Sequence, residues 1–144
     1  MLAPAPPHRT VQFLDVRDLA EWMLELCQGD TTGRFNATSP GVSWGELLAT
    51  CRRMAASKAS ITWVPDGFLV QQGVGEWMEL PMWIADSGRT GANAAVVSRA
   101  LSAGLSFRPL VDTIRATLEL AETTVDAGLT PDREVAIIAA WHAR

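Results

Sequence analysis

The stretch Val11-Gln12-Phe13-Leu14-Asp15-Val16-Arg17-Asp18-Leu19-Ala20-Glu21-Trp22-Met23-Leu24-Glu25-Leu26-Cys27 constrains the fold more than any other. Val11–Leu14 is apolar at every position but Gln12, the pattern of a parallel strand covered on both faces. A helix follows without a loop: Leu19, Trp22/Met23 and Leu26/Cys27 recur at helical spacing, and Asp15 or Asp18 stands where a cap is needed. A strand turning straight into an amphipathic helix is the building unit of an α/β sheet, so further strands are expected beside it.

They are short. Arg34-Phe35-Asn36-Ala37-Thr38 is a candidate, broken by Ser39-Pro40-Gly41, and Ile61-Thr62-Trp63-Val64 is another, stopped by Pro65. Helices are clearer. Ser43 with Glu46 forms a capping box ahead of Leu47, Leu48, Cys51, Met54 and Ala55. Asp66 opens a short helix through Phe68, Leu69 and Val70; Asp86 to Asn93 reads as a loop; Val96 to Leu101 is a short helix closed by Gly104. A longer one follows Pro109 through Leu110/Val111, Ile114, Leu118, Ala121 and Val125, with Asp112/Arg115 and Arg115/Glu119 as surface ion pairs. Thr130 caps the last helix, with Pro131 at its first position. Residues 1–9 hold three prolines and read as a flexible leader, leaving 10–144 as the folded body.

The 144 residues are 48% apolar and 19% charged, the composition of one globular domain. The formal charge is -4 and Lys58 is the only lysine, so no basic, aromatic-interleaved footprint for nucleic acid exists. No apolar run approaches the length of a membrane span, and the proline-rich start is no signal-peptide core, so no membrane partner and a cytoplasmic location are expected. No Cys/His cluster has metal-ligand spacing. Cys27 and Cys51 sit on apolar helix faces and are expected to be buried free thiols. His8 and His142 are expected at the surface.

"GVGEWM", from Gly73, lacks the third glycine of a dinucleotide fingerprint and follows no strand, so it offers no pyrophosphate site. There is no Walker sequence and no nucleophile elbow. One concentration remains: Trp63, Phe68, Trp77, Met78, Met82 and Trp83, with Glu79 as the polar group among them. Core packing would account for these residues. Their functional role would be the wall of an apolar pocket for a small organic ligand.

"QFLDVRDLAEWMLELC", "GRFNATSP", "SWGELLATCR", "ITWVPDGFLVQQGVGEWMELPMWI" and "VSRALSAGLSFRPLVDTIRATLEL" resemble, in that order, the C-terminal half of NAD-dependent epimerase/dehydratase-type proteins. These are the extended short-chain dehydrogenase/reductases, and the likeness is to their atypical reductase-like members. The resemblance implies an α/β fold: a partial Rossmann-like, doubly wound remnant with few short strands plus a mostly helical substrate lobe. It makes Val11–Leu14 a late strand of the Rossmann sheet.

The family binds NAD(P) through a glycine-rich first βα turn and moves protons through a Tyr-x-x-x-Lys pair. Only the leader precedes Val11, and the chain contains no tyrosine, so neither motif has a position to map to. Nucleotide-sugar members carry an arginine at the start of the late strand; here that place is Val11, with Arg9 two residues earlier. The resemblance therefore implies a substrate-lobe segment with no catalytic residue and no cofactor bound by this chain alone. The alternatives are a split-enzyme subunit completing a separate Rossmann half, or a non-catalytic small-molecule binder. An orphaned Val11–Leu14 strand would invite a homo-oligomer or that separate half to pair with it.

Overall fold

The computed structural model describes residues 1–85, 90–120 and 128–144. Among these, six α-helices and four strands of two or three residues form a mixed α/β fold. No helix among the described residues is long and apolar enough to cross a membrane.

The first strand lies inside the supposed leader. β1 (Leu2–Pro4) pairs in parallel with β4 (Thr62–Val64), Leu2 beside Thr62 and Pro4 beside Val64. Leu2 and Ala3 are 5% and 1% exposed, so the start of the chain is core and not a flexible tail. Proline does not prevent this, because at an edge its missing N–H leaves no ladder bond unmade. The carbonyls of the segment are also used. Gly45 N–H donates to Pro7 O at 2.8 Å and Trp44 N–H to Arg9 O at 2.9 Å. Those amides open α2 (Trp44–Met54), where a helix has no partners of its own.

β2 (Thr10–Val11) and β3 (Val42–Ser43) pair antiparallel, with Val11 beside Val42. The expected parallel strand over Val11–Leu14 is thus a two-residue antiparallel one, and Val11 is fully buried within the chain. Gly41 makes the approach possible. Its φ is 105°, and a Cβ there would collide with Thr10 Cγ2. The candidate strand Arg34–Thr38 does not form. Phe35 instead stacks edge-on against Trp22, and the Asn36 amide donates to Val96 O at 2.9 Å. Side-chain contacts hold this segment in place of a ladder.

The helices follow their local signals. α1 (Val16–Gln28) is capped by Asp15, which accepts the Arg17 N–H, and α2 by Ser43, which accepts the Glu46 N–H at 3.1 Å. α3 (Asp66–Gln71) and α4 (Ser98–Ser102) are short. α5 (Leu110–Leu120) carries the Asp112–Arg115 pair at 2.8 Å; Ala121 and Val125, expected to continue it, lie outside the described residues. So do residues 86–89 of the expected loop, whose remainder is a 3-10 turn at Thr90–Asn93. α6 (Pro131–His142) is capped by Thr130.

Two apolar clusters hold the elements together. The larger joins Leu2, Val11, Val64, Leu69 and Trp83 to Trp44 and Leu47 of α2, Ile114 of α5 and Ile137 of α6. The smaller sets Trp22 of α1 against Ala100 and Leu105. Cys51 is half-buried, and burial pushes its thiol pKa up. Cys27 is exposed, contrary to expectation, because it falls on the side of α1 opposite Trp22.

Candidate functional site

A cleft of about 850 Å³ opens where the two parallel strands end. Ala5 and Pro6 follow β1 directly, Pro65 and Asp66 follow β4 directly, and all four line it. Parallel pairing causes this. Two strands running the same way end on the same side, and the chain leaves both ends in loops that enclose space. Ala5 N–H donating to Val64 O at 2.9 Å keeps the two exits together.

Arg9 crosses the floor. Its Nη2 donates to Ala5 O and to Asp66 Oδ1, the latter at 2.6 Å, and its Nη1 to Ile84 O at 3.3 Å. Asp66 is held from behind by the indole N–H of buried Trp83 at 2.9 Å. Gln12 fixes the opposite wall. Its amide nitrogen donates to Ser39 O and Ala95 O at 3.0 and 3.1 Å, and its oxygen accepts the Ala95 N–H at 2.8 Å. Asn93 Oδ1 accepts the Gln12 backbone N–H at 3.3 Å. Gln12, just past β2, thus anchors Asn93 through its backbone amide and Ala95 through its side chain, some eighty positions away, as the third side of the cleft.

The seven residues singled out from the sequence are placed elsewhere. Trp63 packs against the main core, and Phe68 is buried edge-on against Trp141 with ring centroids 5.2 Å apart. Trp83 is wholly buried and donates its indole N–H to Asp66 in the cleft lining. Glu79 is a clamp: one oxygen accepts the Gly75 N–H at 2.6 Å and the other stands 2.7 Å from Arg133 Nε. Arg133 in turn donates to Gly73 O at 2.9 Å. Met82 is half-buried against the core, while Trp77 and Met78 are 56% and 66% exposed. Trp77 and Met82 both hold left-handed backbone, φ 64° and 63°, which bulky residues adopt only where surrounding bonds impose it. Here the Trp77 N–H to Trp83 O bond at 3.1 Å and the Glu79 clamp do so. None of the seven lines the cleft.

The residues that do line it, Arg9, Gln12, Asp66 and Asn93, do not stand out as a site in the sequence. Gln12 is visible there as the polar exception in its strand, and Asp66 only as a helix-opening residue. Their convergence depends on contacts across 57 to 83 positions, which no local pattern carries. His8 is exposed, as expected, and lies at the cleft rim; His142 is exposed on the last turn of α6.

A second polar centre ties α1 to α5 and the segment before it. Asp15 accepts from Arg17 Nε and Nη2 at 2.9 and 2.7 Å and from the Thr113 hydroxyl at 2.8 Å. The Arg17 hydrogen bonds hold the Asp15 carboxyl well below the usual carboxylate range. Asp18, 7% exposed, accepts the Arg108 backbone N–H at 3.1 Å and pairs with its guanidinium, whose pKa the bond raises. The adjoining hollow is only about 150 Å³. Its ion pairs fasten α1 to Arg108 and, through the Thr113 hydroxyl, to α5.

Among the described residues, no group of three or more His, Cys, Asp or Glu stands together to hold a metal. No family model, curated protein or solved structure matches the chain.

Proposed function

We propose that this chain is a substrate-lobe segment of an NAD(P)-dependent epimerase/reductase-like oxidoreductase, the role its sequence resemblance implies. One observation carries the reading: a cleft of about 850 Å³ lies at the carboxyl ends of two parallel strands. That is where open α/β sheets place their ligands. The cleft is of a size to enclose a small organic molecule, with apolar walls from Pro6, Pro40, Pro65 and Ile84 and a few directed polar groups.

On this reading the chain binds and orients, and a glycine-rich turn and Tyr-x-x-x-Lys on another polypeptide supply NAD(P) and the proton. The chain contributes no tyrosine to that work. The protein works in the cytoplasm, and its partner is either that separate Rossmann half or a second copy. Docking through Val11 itself is not part of the proposal, because that side chain is already covered and β2 is paired with β3.

A second reading, a non-catalytic small-molecule binder, is favoured by that same coverage, since a chain that pairs and buries its own strand needs no partner to do so. Incubation of the isolated chain with NADH or NADPH and a panel of aldehydes and ketones tests the first reading. The expected outcome is no cofactor oxidation alone, and oxidation when a half carrying the two missing motifs is co-expressed. Turnover by the chain alone overturns it, and a cofactor-free ligand complex indifferent to any added half favours the second.

A further inference from the structure

We infer that Asp66 sets the ligand class of the cleft: by neutralising Arg9 from within, it reserves the site for uncharged polar molecules, carbonyl or hydroxyl compounds, and closes it to phosphates and carboxylates. The inference rests on the reading of the cleft as a ligand site and adds what that ligand is.

Among the described lining residues Arg9 is the one arginine or lysine and Asp66 the one carboxylate. Left alone, a partly buried guanidinium in the floor of a strand-end cleft would be an anion receptor, since its planar fork matches phosphate and carboxylate oxygens. Here both donors of Nη2 are committed, one to Ala5 O and one to Asp66 Oδ1 at 2.6 Å, and Nη1 donates to Ile84 O. The pair is only 22% and 17% exposed, so it is screened little by water, and an arriving anion would meet the Asp66 charge at close range. Asp66 does not swing aside freely, because Trp83, wholly buried, grips the same oxygen through its indole N–H at 2.9 Å. Among the described lining residues, what remains to meet a ligand besides this pair is the Asn93 carboxamide, the Thr10 hydroxyl and the His8 imidazole, between proline and alanine walls.

Isotope-edited NMR titration of the full chain tests this with cyclohexanone and inorganic phosphate as probes. Cyclohexanone is expected to shift the amides of Gln12, Asn93, Ala94 and Ala95, and phosphate to leave them in place. In Asp66→Asn the amide oxygen can still accept from Trp83 while the counter-charge is gone, so phosphate is expected to bind these amides about tenfold or more tighter than in wild type. Phosphate binding at these amides in the wild-type chain overturns the inference, as does a folded D66N that gains no phosphate affinity, or a cleft indifferent to cyclohexanone. The wild-type comparison stands even if D66N does not fold. Cofactor turnover by the isolated chain would defeat the proposed function without moving any of these resonances, so the two failures are separable.

Discussion

The backbone amide of Leu2 donates to the carboxylate of Glu134 across 2.7 Å, fastening the first strand to the last helix over 132 positions. The bond falls on the side of β1 that β4 does not cover. Beside it Pro4 has no N–H to offer, so the free edge of the two-stranded sheet presents no spare donor at either position.

Replacing Glu134 with Ala leaves the Leu2 amide unsatisfied in a part-buried setting. The expected loss is about 1–3 kcal/mol, read from a urea midpoint, together with a concentration-dependent increase in apparent size on gel filtration as the edge becomes open to pairing. An unchanged midpoint and elution would show that the bond contributes nothing to stability or to edge protection.

Gly41 is irreplaceable on two counts: its φ of 105°, and Thr10 Cγ2 occupying the place a side-chain methyl would take. Gly41→Ala is expected to cost about 1–3 kcal/mol and to speed hydrogen exchange at Thr10 and Val11 before the rest of the core. Truncating Thr10 to Gly in the same chain should recover only the steric part of the loss, since the left-handed backbone cost stays.

Trp22 carries the smaller cluster, 4% exposed, with its indole N–H donated to Ala103 O at 2.8 Å. Trp22→Phe keeps a ring but removes the donor and leaves a gap. A loss of about 1–3 kcal/mol is expected, with α4 and the Ala103 turn loosening first in an exchange experiment. Equal loosening of β1 and β4 would mean that the two clusters unfold as one.

Asp15 gives the chain an acid-sensitive fastening. Its folded carboxyl is held below the ordinary value of 3.8 by the Arg17 and Thr113 bonds. A depressed pKa contributes stability that is complete above the ordinary value and is lost as the pH falls below it toward the folded value. Chemical unfolding across pH 2 to 6, on the order of the carboxylate range, should show this slope in the wild type and a shallower one in Asp15→Asn. Identical slopes would remove Asp15 from the account.

Much of the local structure is legible in the residues. Ser43 with Glu46, Thr130 with Pro131 and Asp15 ahead of Leu19 mark helix starts because a capping oxygen acts on amides two or three positions away. Gly104, with φ 95°, ends the turn after α4 for an equally local reason. Thr62–Val64 is visible as a strand by its β-branched and aromatic residues. Cys27 is misplaced by its periodicity, which fits two apolar stripes of α1, and nothing local says which one meets the core.

The sheet and the cleft are decided by the tertiary structure. Leu2-Ala3-Pro4 reads as polyproline leader until Thr62–Val64 lies beside it, and Val11 reads as a parallel strand until Gly41 lets Val42 approach from the other direction. Arg9, Gln12, Asp66 and Asn93 become one site only when the fold brings three distant segments to the same strand ends. Helix caps and turns are set by atoms a few residues apart and so are written along the chain. Strand partners, register and the charge balance of a cleft are set by which distant surfaces exclude water together, and only the folded arrangement fixes that.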